Sequence, residues 1–230
     1  GDKGARKNSH KPIAAGGGAA GATGVMGCRV AGARGARADA DTLRQAYESL
    51  NGQERLTDPG NYFQAVALPA DIQVRLLTPQ QAANMSEGTV FFGFPTCPWC
   101  RNALPLALEA AAGAGCTLCY CPLDEYRDVY ALEDDALVEK TPAGPGYHAL
   151  LARLGDCLEP YTLTDSRGNA VPIGEKRIFA PTIARFHNGA LTNFWTLEAI
   201  GFQLPEGQSK YAPWTGEQKA MVRETLQKMF

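Results

Sequence analysis

The chain has 230 residues, of which 45% are hydrophobic and 20% are charged, and its net charge is −2. This composition is typical of a globular protein that can bury a sizeable core, with one main domain as the default for this length. So small a charge does not attract nucleic acid, and the sequence contains no run of 18 or more apolar residues that predicts a membrane-spanning helix.

The first forty residues differ in composition from the rest of the chain. Residues 1–40 are rich in Gly, Ala, Lys and Arg and contain no aromatic residue, which predicts a disordered leader or linker before a folded domain at 41–230. A basic start, a stretch of small residues and the pair Gly27-Cys28 resemble a bacterial lipoprotein signal, in which Cys28 carries the lipid that anchors the protein to a membrane. The alternative is a flexible tail with an incidental cysteine, because the middle of this segment is glycine-rich.

The folded part is predicted to begin with a helix from residue 41. Its apolar residues follow the i, i+3, i+4, i+7 spacing of an amphipathic helix: Leu43, Ala46, Tyr47 and Leu50. Residues 62–68 and 72–77 are predicted as short strands. Thr78 and Pro79 then have the chemistry of an N-cap and a first helical residue, so a second helix is expected there.

A buried strand and a long helix follow. Residues 90–94 are a continuous apolar run, which is typical of a strand covered on both faces in a parallel sheet. Pro98 is compatible only with the first turn of a helix, so Cys97 is predicted to lie at a helix N-terminus. Residues 116–120 are predicted as the next strand.

The second half of the chain contains a long segment, residues 125–177, which we interpret as an insertion. Its expected role is structural decoration, with substrate recognition as the alternative. Beyond it, residues 178–186 and 191–195 are predicted as two strands joined by an Asn188-Gly189 turn, followed by a C-terminal helix. This succession of elements predicts an α/β fold.

The motif Cys97-Pro98-Trp99-Cys100 carries the chemistry that we expect. A thiol attacks only as thiolate, and the unpaired N–H groups and dipole at a helix N-terminus stabilise negative charge on sulfur. Two intervening residues place the second sulfur one turn further along, within disulfide reach. Cys97 is therefore predicted to be the exposed nucleophile and Cys100 the more buried resolving thiol.

These features resemble the thioredoxin superfamily: an apolar strand, the four-residue motif, and a helix with Pro105 five residues after the second cysteine. Ala180-Pro181-Thr182 at the head of a strand is similar to the cis-proline element of that family, which packs against the disulfide and pairs with substrate backbone. The resemblance implies a thioredoxin-like fold, with a central mixed sheet flanked by helices. It also implies that Pro98, Trp99 and these three residues support the site or bind substrate.

The resemblance covers roughly residues 72–124 and 178–230, and it is closest to extracytoplasmic, often lipid-anchored, bacterial proteins. It implies a thiol-disulfide oxidoreductase that exchanges disulfides with protein or small-molecule substrates and with a redox partner. The redox-active group is the Cys97–Cys100 disulfide, and neither a cofactor nor a metal is expected. An extracytoplasmic location is the corresponding expectation, with a cytoplasmic location as the alternative.

Three positions depart from thioredoxin itself. Thr96 precedes the first cysteine where thioredoxins have tryptophan, and Phe91 replaces their buried acid six residues before that cysteine. Trp99 supplies no positive charge beside the pair. We therefore expect the pKa of Cys97 to be lowered, but not to the extreme of the strongly oxidising relatives.

Other interpretations of the cysteines are open at this stage. Cys97-x-x-Cys100 and Cys116-x-x-Cys119, fifteen residues apart, match a four-cysteine zinc site in spacing, although a helix would separate the pairs by roughly 20 Å or more.

A redox-inactive surface lipoprotein that binds a partner through its groove is another alternative. Arg101, directly after the motif, is a candidate for assisting the thiolate. Several cysteines are expected to be small buried hydrophobes, with a second redox relay as the alternative: Cys116, Cys119, Cys121 and Cys157.

Overall fold

The structure is a computed structural model that describes residues 33–230, so Cys28 and its predicted lipid lie outside the described residues. The first helix, α1, spans Ala33–Glu48. The helix therefore begins eight residues before the predicted start at residue 41. Ala and Arg are strong helix formers, and Asp39 fixes the early turns by accepting the backbone N–H of Leu76 at 2.9 Å.

Residues 62–68 do not form the predicted strand. Val66 exchanges two hydrogen bonds with the side chain of Asn51, and the N–H of Leu68 donates to Glu48 Oε1. These side chains take the place of a neighbouring strand, so the segment is extended and partly buried without joining a sheet.

The elements around the motif match the predictions closely. Thr78 caps the short second helix in a capping box, with Pro79 as its first residue. The continuous apolar run lies in a strand that is buried at every position. The elements of this part are β1 (Val74–Leu76), α2 (Pro79–Ala83), β2 (Gly88–Gly93), α3 (Pro98–Gly113) and β3 (Leu118–Pro122).

The predicted insertion folds into two hairpins around a helix. The first hairpin is formed by β4 (Val129–Glu133) and β5 (Ala136–Thr141), and the helix is α4 (Tyr147–Leu154). A 3₁₀ turn at Gly155–Cys157 leads to the second hairpin. Its strands are β6 (Glu159–Thr164) and β7 (Ala170–Arg177).

The chain closes with a hairpin and a helix, as predicted. Strands β8 (Thr182–His187) and β9 (Ala190–Thr196) are antiparallel and are joined by Asn188-Gly189, both at positive φ. Helix α5 (Gly216–Leu226) begins at Thr215 in a second capping box.

The five strands β1, β2, β3, β8 and β9 form one mixed sheet in the order β1-β3-β2-β8-β9. Strand β3 pairs in parallel with β1 and with β2, whereas β2 pairs with β8 in the antiparallel direction. Each face of the sheet carries a separate apolar core, one shared with α1, α3 and α5, the other with α2 and α4. The fold is thus α/β, with a mixed central sheet flanked by helices.

No helix within residues 33–230 has both the length and the apolar character required to cross a bilayer.

The start of α4 packs tightly against α2 and gives a test of the fold. Gly146 has φ +81°, and a Cβ placed there would lie 2.5 Å from the backbone nitrogen of Gln80. We expect Gly146→Ala to lower the free energy of unfolding by about 3 kcal/mol, because it adds backbone strain to overpacking. Gly113→Ala, whose Cβ meets nothing within 4 Å, is the control and should cause no loss in a urea titration. Equal stabilities of the two variants would contradict the packing described here.

Candidate active site

The sulfur of Cys97 occupies the N-cap position of α3. Cys97 has extended backbone (φ −71°, ψ 120°), Pro98 is the first residue of the helix, and the N–H of Cys100 donates to Cys97 Sγ at 3.3 Å. The predicted placement of Cys97 at a helix N-terminus is confirmed. Its sulfur therefore meets the donors and the positive dipole end that favour a thiolate.

Cys100 lies one turn further along and is fully buried, with 0% of its surface exposed against 4% for Cys97. Neither sulfur is in a disulfide in this structure. Gly93, the last residue of β2, makes room for the inner sulfur, because a Cβ there would lie 2.8 Å from Cys100 Sγ. Cys97 is more enclosed than predicted, although it remains the outer sulfur of the two.

The two thiols have opposite pKa shifts. The hydrogen bond from the Cys100 thiol lowers the pKa of Cys97 most, burial opposes this, and the N–H groups of Cys100 and Trp99 and the charge of Arg127 lower it further. Burial raises the pKa of Cys100 well above the usual thiol value, and a neighbouring Cys97 thiolate raises it further. The predicted direction for Cys97 is confirmed, and negative charge is directed to the outer sulfur.

The Ala180-Pro181-Thr182 segment lies directly against Cys97. The Cys97 thiol donates to the carbonyl oxygen of Ala180 at 3.6 Å, and the Ala180–Pro181 peptide bond is cis. Thr182 is buried, and its hydroxyl donates to the carbonyl of Phe179 at 2.6 Å. Residues more than eighty positions apart in the sequence thus meet at one sulfur.

A groove of about 860 Å³ opens beside the pair. Trp99, Ala180, Pro181 and Thr182 lie in its wall, so four of the five predicted supporting residues are brought together here, while Pro98 does not line it. The predicted insertion contributes Cys157, Leu158 and Glu159 to the same wall, which favours substrate recognition over decoration for this part of it. Most of the remaining lining is apolar: Phe179 lies before β8, Phe194 lies in β9, and Leu197, Phe202 and Leu204 come from the loop after it.

Arg127 is a site residue that sequence analysis missed. It lies in the predicted insertion, its Nη1 donates to the carbonyl of Ile178 at 3.2 Å, and its guanidinium lies 5.3 Å from the ring centre of Phe94. Burial lowers the pKa of Arg127, whereas a Cys97 thiolate raises it, so cation and thiolate stabilise each other. No local motif marks this arginine, because its proximity to the dithiol arises only from the fold.

Arg101 was a candidate for assisting the thiolate, but its hydrogen bonds are directed elsewhere. It is 1% exposed, and its five N–H groups donate to the carbonyls of Tyr47, Pro95 and Gln64 and to Asn51 Oδ1. Arg101 therefore joins α1 and the following loop to the active-site helix. Its role is structural.

A pair of buried tyrosines lies beside Phe91. Phe91 stacks on Tyr120 with ring centres 5.7 Å apart, and the hydroxyls of Tyr120 and Tyr47 are 2.9 Å apart. Burial raises the pKa of both tyrosines, and the charge of a Cys100 thiolate adds to this. Both hydroxyls are therefore neutral at ordinary pH and supply no carboxylate base for Cys100.

The zinc interpretation is not supported by this geometry. Cys97 and Cys100 lie at the start of α3, Cys116 follows its other end, and Cys119 packs into the core on the other face of the sheet. Within the described part of the chain, no three or more His, Cys, Asp or Glu side chains are placed to hold a metal ion.

The remaining cysteines follow the prediction only in part. Cys119 and Cys121 are buried, as expected for small hydrophobes, and burial raises the pKa of Cys121 to about 12. The prediction is wrong for Cys116, which is partly exposed, and for Cys157, which is exposed at the groove.

No protein-family model matches this chain, and neither a curated protein nor a solved structure matches it significantly.

The pKa shifts predict a difference in reactivity between the two sulfurs. We expect reduced protein to be alkylated by iodoacetamide at Cys97 first, at pH values below the ordinary thiol pKa of about 8.5, because only Cys97 is appreciably thiolate there. Arg127→Met should raise the Cys97 pKa by about half a unit, since it removes a nearby cation. Peptide mass spectrometry across a pH series measures both effects. Faster labelling of Cys100, or an unchanged Cys97 pKa in Arg127→Met, would contradict this assignment.

The hydrogen bonds of Arg101 predict a large loss of stability on its removal. Arg101→Met should lower the free energy of unfolding by about 3 kcal/mol, because it leaves several buried acceptors without a donor. Arg75→Met, at an exposed position of β1, is the matched control and should change stability by less than about 0.5 kcal/mol. Denaturant titration compares the two, and similar losses would refute the structural role of Arg101.

Proposed function

We propose that this chain is a thiol-disulfide oxidoreductase with a thioredoxin-like fold and with Cys97 and Cys100 as its catalytic pair. The observation that carries the proposal is the asymmetry of the pair. One sulfur caps a helix and has a lowered pKa, while its neighbour one turn away is fully buried with a raised pKa. A dithiol arranged in this way suits two successive nucleophilic attacks.

The proposed reaction transfers two electrons and uses only these sulfurs. The Cys97 thiolate attacks one sulfur of a substrate disulfide, the substrate S–S bond breaks, and the other substrate sulfur leaves as a thiolate. Cys97 is now joined to the substrate by a mixed disulfide. Cys100 loses its proton to water or to that departing thiolate and attacks Cys97 Sγ, which breaks the mixed disulfide and releases the second substrate sulfur as a thiolate. The products are the Cys97–Cys100 disulfide and the reduced substrate. The reverse sequence oxidises a substrate dithiol, and the relative reduction potentials of the partners decide the direction.

The fold supports the thioredoxin-like part of the proposal. The motif helix follows a buried strand, the Ala180-Pro181-Thr182 segment lies at the head of β8, and the β8–β9 hairpin and α5 complete the domain. The contact between Cys97 and Ala180 supports a role for this segment beside the reacting sulfur. The adjacent groove is large enough to admit a peptide segment that carries a disulfide.

A protein that only binds a partner gains nothing from opposite shifts in two thiol pKa values. We therefore place the binding module second. Lipid attachment at Cys28 and an extracytoplasmic location remain predictions, to be tested by mass spectrometry of the protein from its native membrane.

Insulin reduction with dithiothreitol as the electron source tests the activity. We expect Cys97→Ser to reduce the rate by at least about 100-fold, because it removes the attacking sulfur. Reduced Cys100→Ser, freed of dithiothreitol before the substrate is added, should instead accumulate a mixed disulfide between Cys97 and the substrate, visible on non-reducing gels. Cys116→Ser, at the far end of α3, is the control and should retain the wild-type rate.

Wild-type protein that neither reduces insulin nor oxidises a dithiol peptide, together with no adduct in Cys100→Ser, would contradict the enzymatic proposal. That result would favour the binding module.

A further inference from the structure

Arg55 is a buried arginine without a carboxylate partner. It lies in the loop between α1 and β1, is 6% exposed, and forms no ion pair with any residue in 33–230. Removing a guanidinium from water without an ion-pair partner is costly, so surrounding groups must stabilise this charge.

Its surroundings connect it to the dithiol. The guanidinium lies between two aromatic rings, with its central carbon 4.2 Å from the ring centre of Phe63 and 4.4 Å from that of Tyr211. Nη1 donates at 2.7 Å to the carbonyl oxygen of Thr96, the residue directly before Cys97. The aromatic faces and this carbonyl fix the position of the cation beside the nucleophile.

The rest of the guanidinium has no acceptor. Nε and Nη2 are enclosed, and neither has a hydrogen-bond partner among the described residues. A carboxylate would satisfy these two donors side by side, but the nearby carboxylate, Asp58, instead accepts a hydrogen bond from the Tyr211 hydroxyl. The positive charge of Arg55 is thus available to another anion in the same enclosure.

Few groups near Arg55 can become negative. Burial lowers the pKa of Arg55, whereas Tyr211, Cys97 and Asp58 raise it. Hydrogen bonding to Asp58 raises the pKa of Tyr211, so that phenol is neutral at ordinary pH. Asp58 is an anion as well, because the hydrogen bond from Tyr211 lowers its pKa, but it is less buried than Cys97. The Cys97 thiolate is therefore the more buried of these two anions near the cation.

We propose that Arg55 is a positioning residue of the dithiol site, which holds the Thr96 carbonyl before the nucleophile and supplies a buried positive charge for the Cys97 thiolate. The mechanistic meaning of this inference rests on the proposed oxidoreductase function. Together with Arg127, Arg55 places a second cation near the sulfur, and the two come from segments on opposite sides of the motif in the sequence.

The other charged groups around Arg55 have smaller or opposing effects. Asp58 partly offsets the cation, and Lys210 is an exposed cation 5.2 Å from the ring centre of Tyr211. Solvent screens these exposed charges more strongly than it screens the enclosed guanidinium. Substitution of Arg55 should therefore affect Cys97 more than substitution of either neighbour.

The consequence for exchange is a larger thiolate fraction at neutral pH. A more stable thiolate is also intrinsically less nucleophilic, and this offsets about half of the gain on a logarithmic scale. Loss of the Arg55 charge should therefore slow attack by Cys97 at pH 7 by only about twofold when the thiolate fraction falls about threefold. The thiolate titration is accordingly the more sensitive measurement.

Three variants separate charge from packing. Arg55→Gln removes the charge but keeps an N–H donor for Thr96, whereas Arg55→Lys keeps a positive charge and loses the planar group. Lys210→Gln is the matched control, which removes an exposed cation from the adjacent segment. The Cys97 pKa is read from the pH dependence of iodoacetamide labelling of that cysteine in reduced full-length protein, and melting temperatures establish that each variant is folded.

We expect Arg55→Gln to raise the Cys97 pKa by about half a unit, no more than Arg127→Met does, Arg55→Lys by less than half of that, and Lys210→Gln not at all. An unchanged pKa in folded Arg55→Gln overturns the inference. An equal rise of the Cys97 pKa in Arg55→Lys and Arg55→Gln also overturns it, because the effect would then come from packing and not from charge. If Arg55→Gln does not fold, a rise of half a unit in Arg55→Lys still overturns it.

This titration needs no turnover, so its result is independent of the insulin assay. A shifted Cys97 pKa in a protein that lacks exchange activity would refute the proposed function but leave the electrostatic assignment standing. Loss of insulin reduction in Arg55→Gln with an unchanged Cys97 pKa would refute the electrostatic assignment but leave the proposed function standing.

Discussion

The hydrogen bond from the Cys100 backbone N–H to Cys97 Sγ is the interaction on which the site depends. It makes a sulfur the N-cap of α3, a position usually held by an oxygen from Ser, Thr, Asp or Asn. The same geometry encloses Cys100 one turn away beneath Gly93. A single helix start therefore sets both the acidity of the outer thiol and the burial of the inner one.

This helix start is held in place by parts of the chain that are distant in sequence. Arg101 ties α3 to the end of α1 and the loop after it, and Ala180 contacts the outer sulfur from the other side. The segment first interpreted as an insertion supplies Arg127 and part of the groove wall. The site is thus a joint product of the loop before β1, the motif helix, the insertion and the cis-proline segment, and Arg55 binds the carbonyl of the residue before the nucleophile.

Sequence analysis succeeded where the local pattern matched the final environment. The apolar run of β2, the Pro98 helix start and the Asn188-Gly189 turn were all predicted, because each depends on local stereochemistry or on burial of both strand faces. It failed at residues 62–68. Their composition is typical of a strand, but the backbone of Val66 is hydrogen-bonded to the side chain of Asn51 and not to another strand. It also placed the start of the first helix too late, because the Ala and Arg residues of early α1 contain few large apolar groups.

The sequence by itself determined that a cysteine pair spans the first turn of a helix, since Pro98 and the two-residue spacing leave little other choice. It also indicated which sulfur lies nearer the helix end. Only the tertiary structure decided which charged groups lie near the two thiols and how deeply each thiol is buried. Coulombic interactions and burial depend on distances between residues such as Arg55, Cys97, Arg127 and Ala180, and those distances exist only once the sheet has brought the separate segments together.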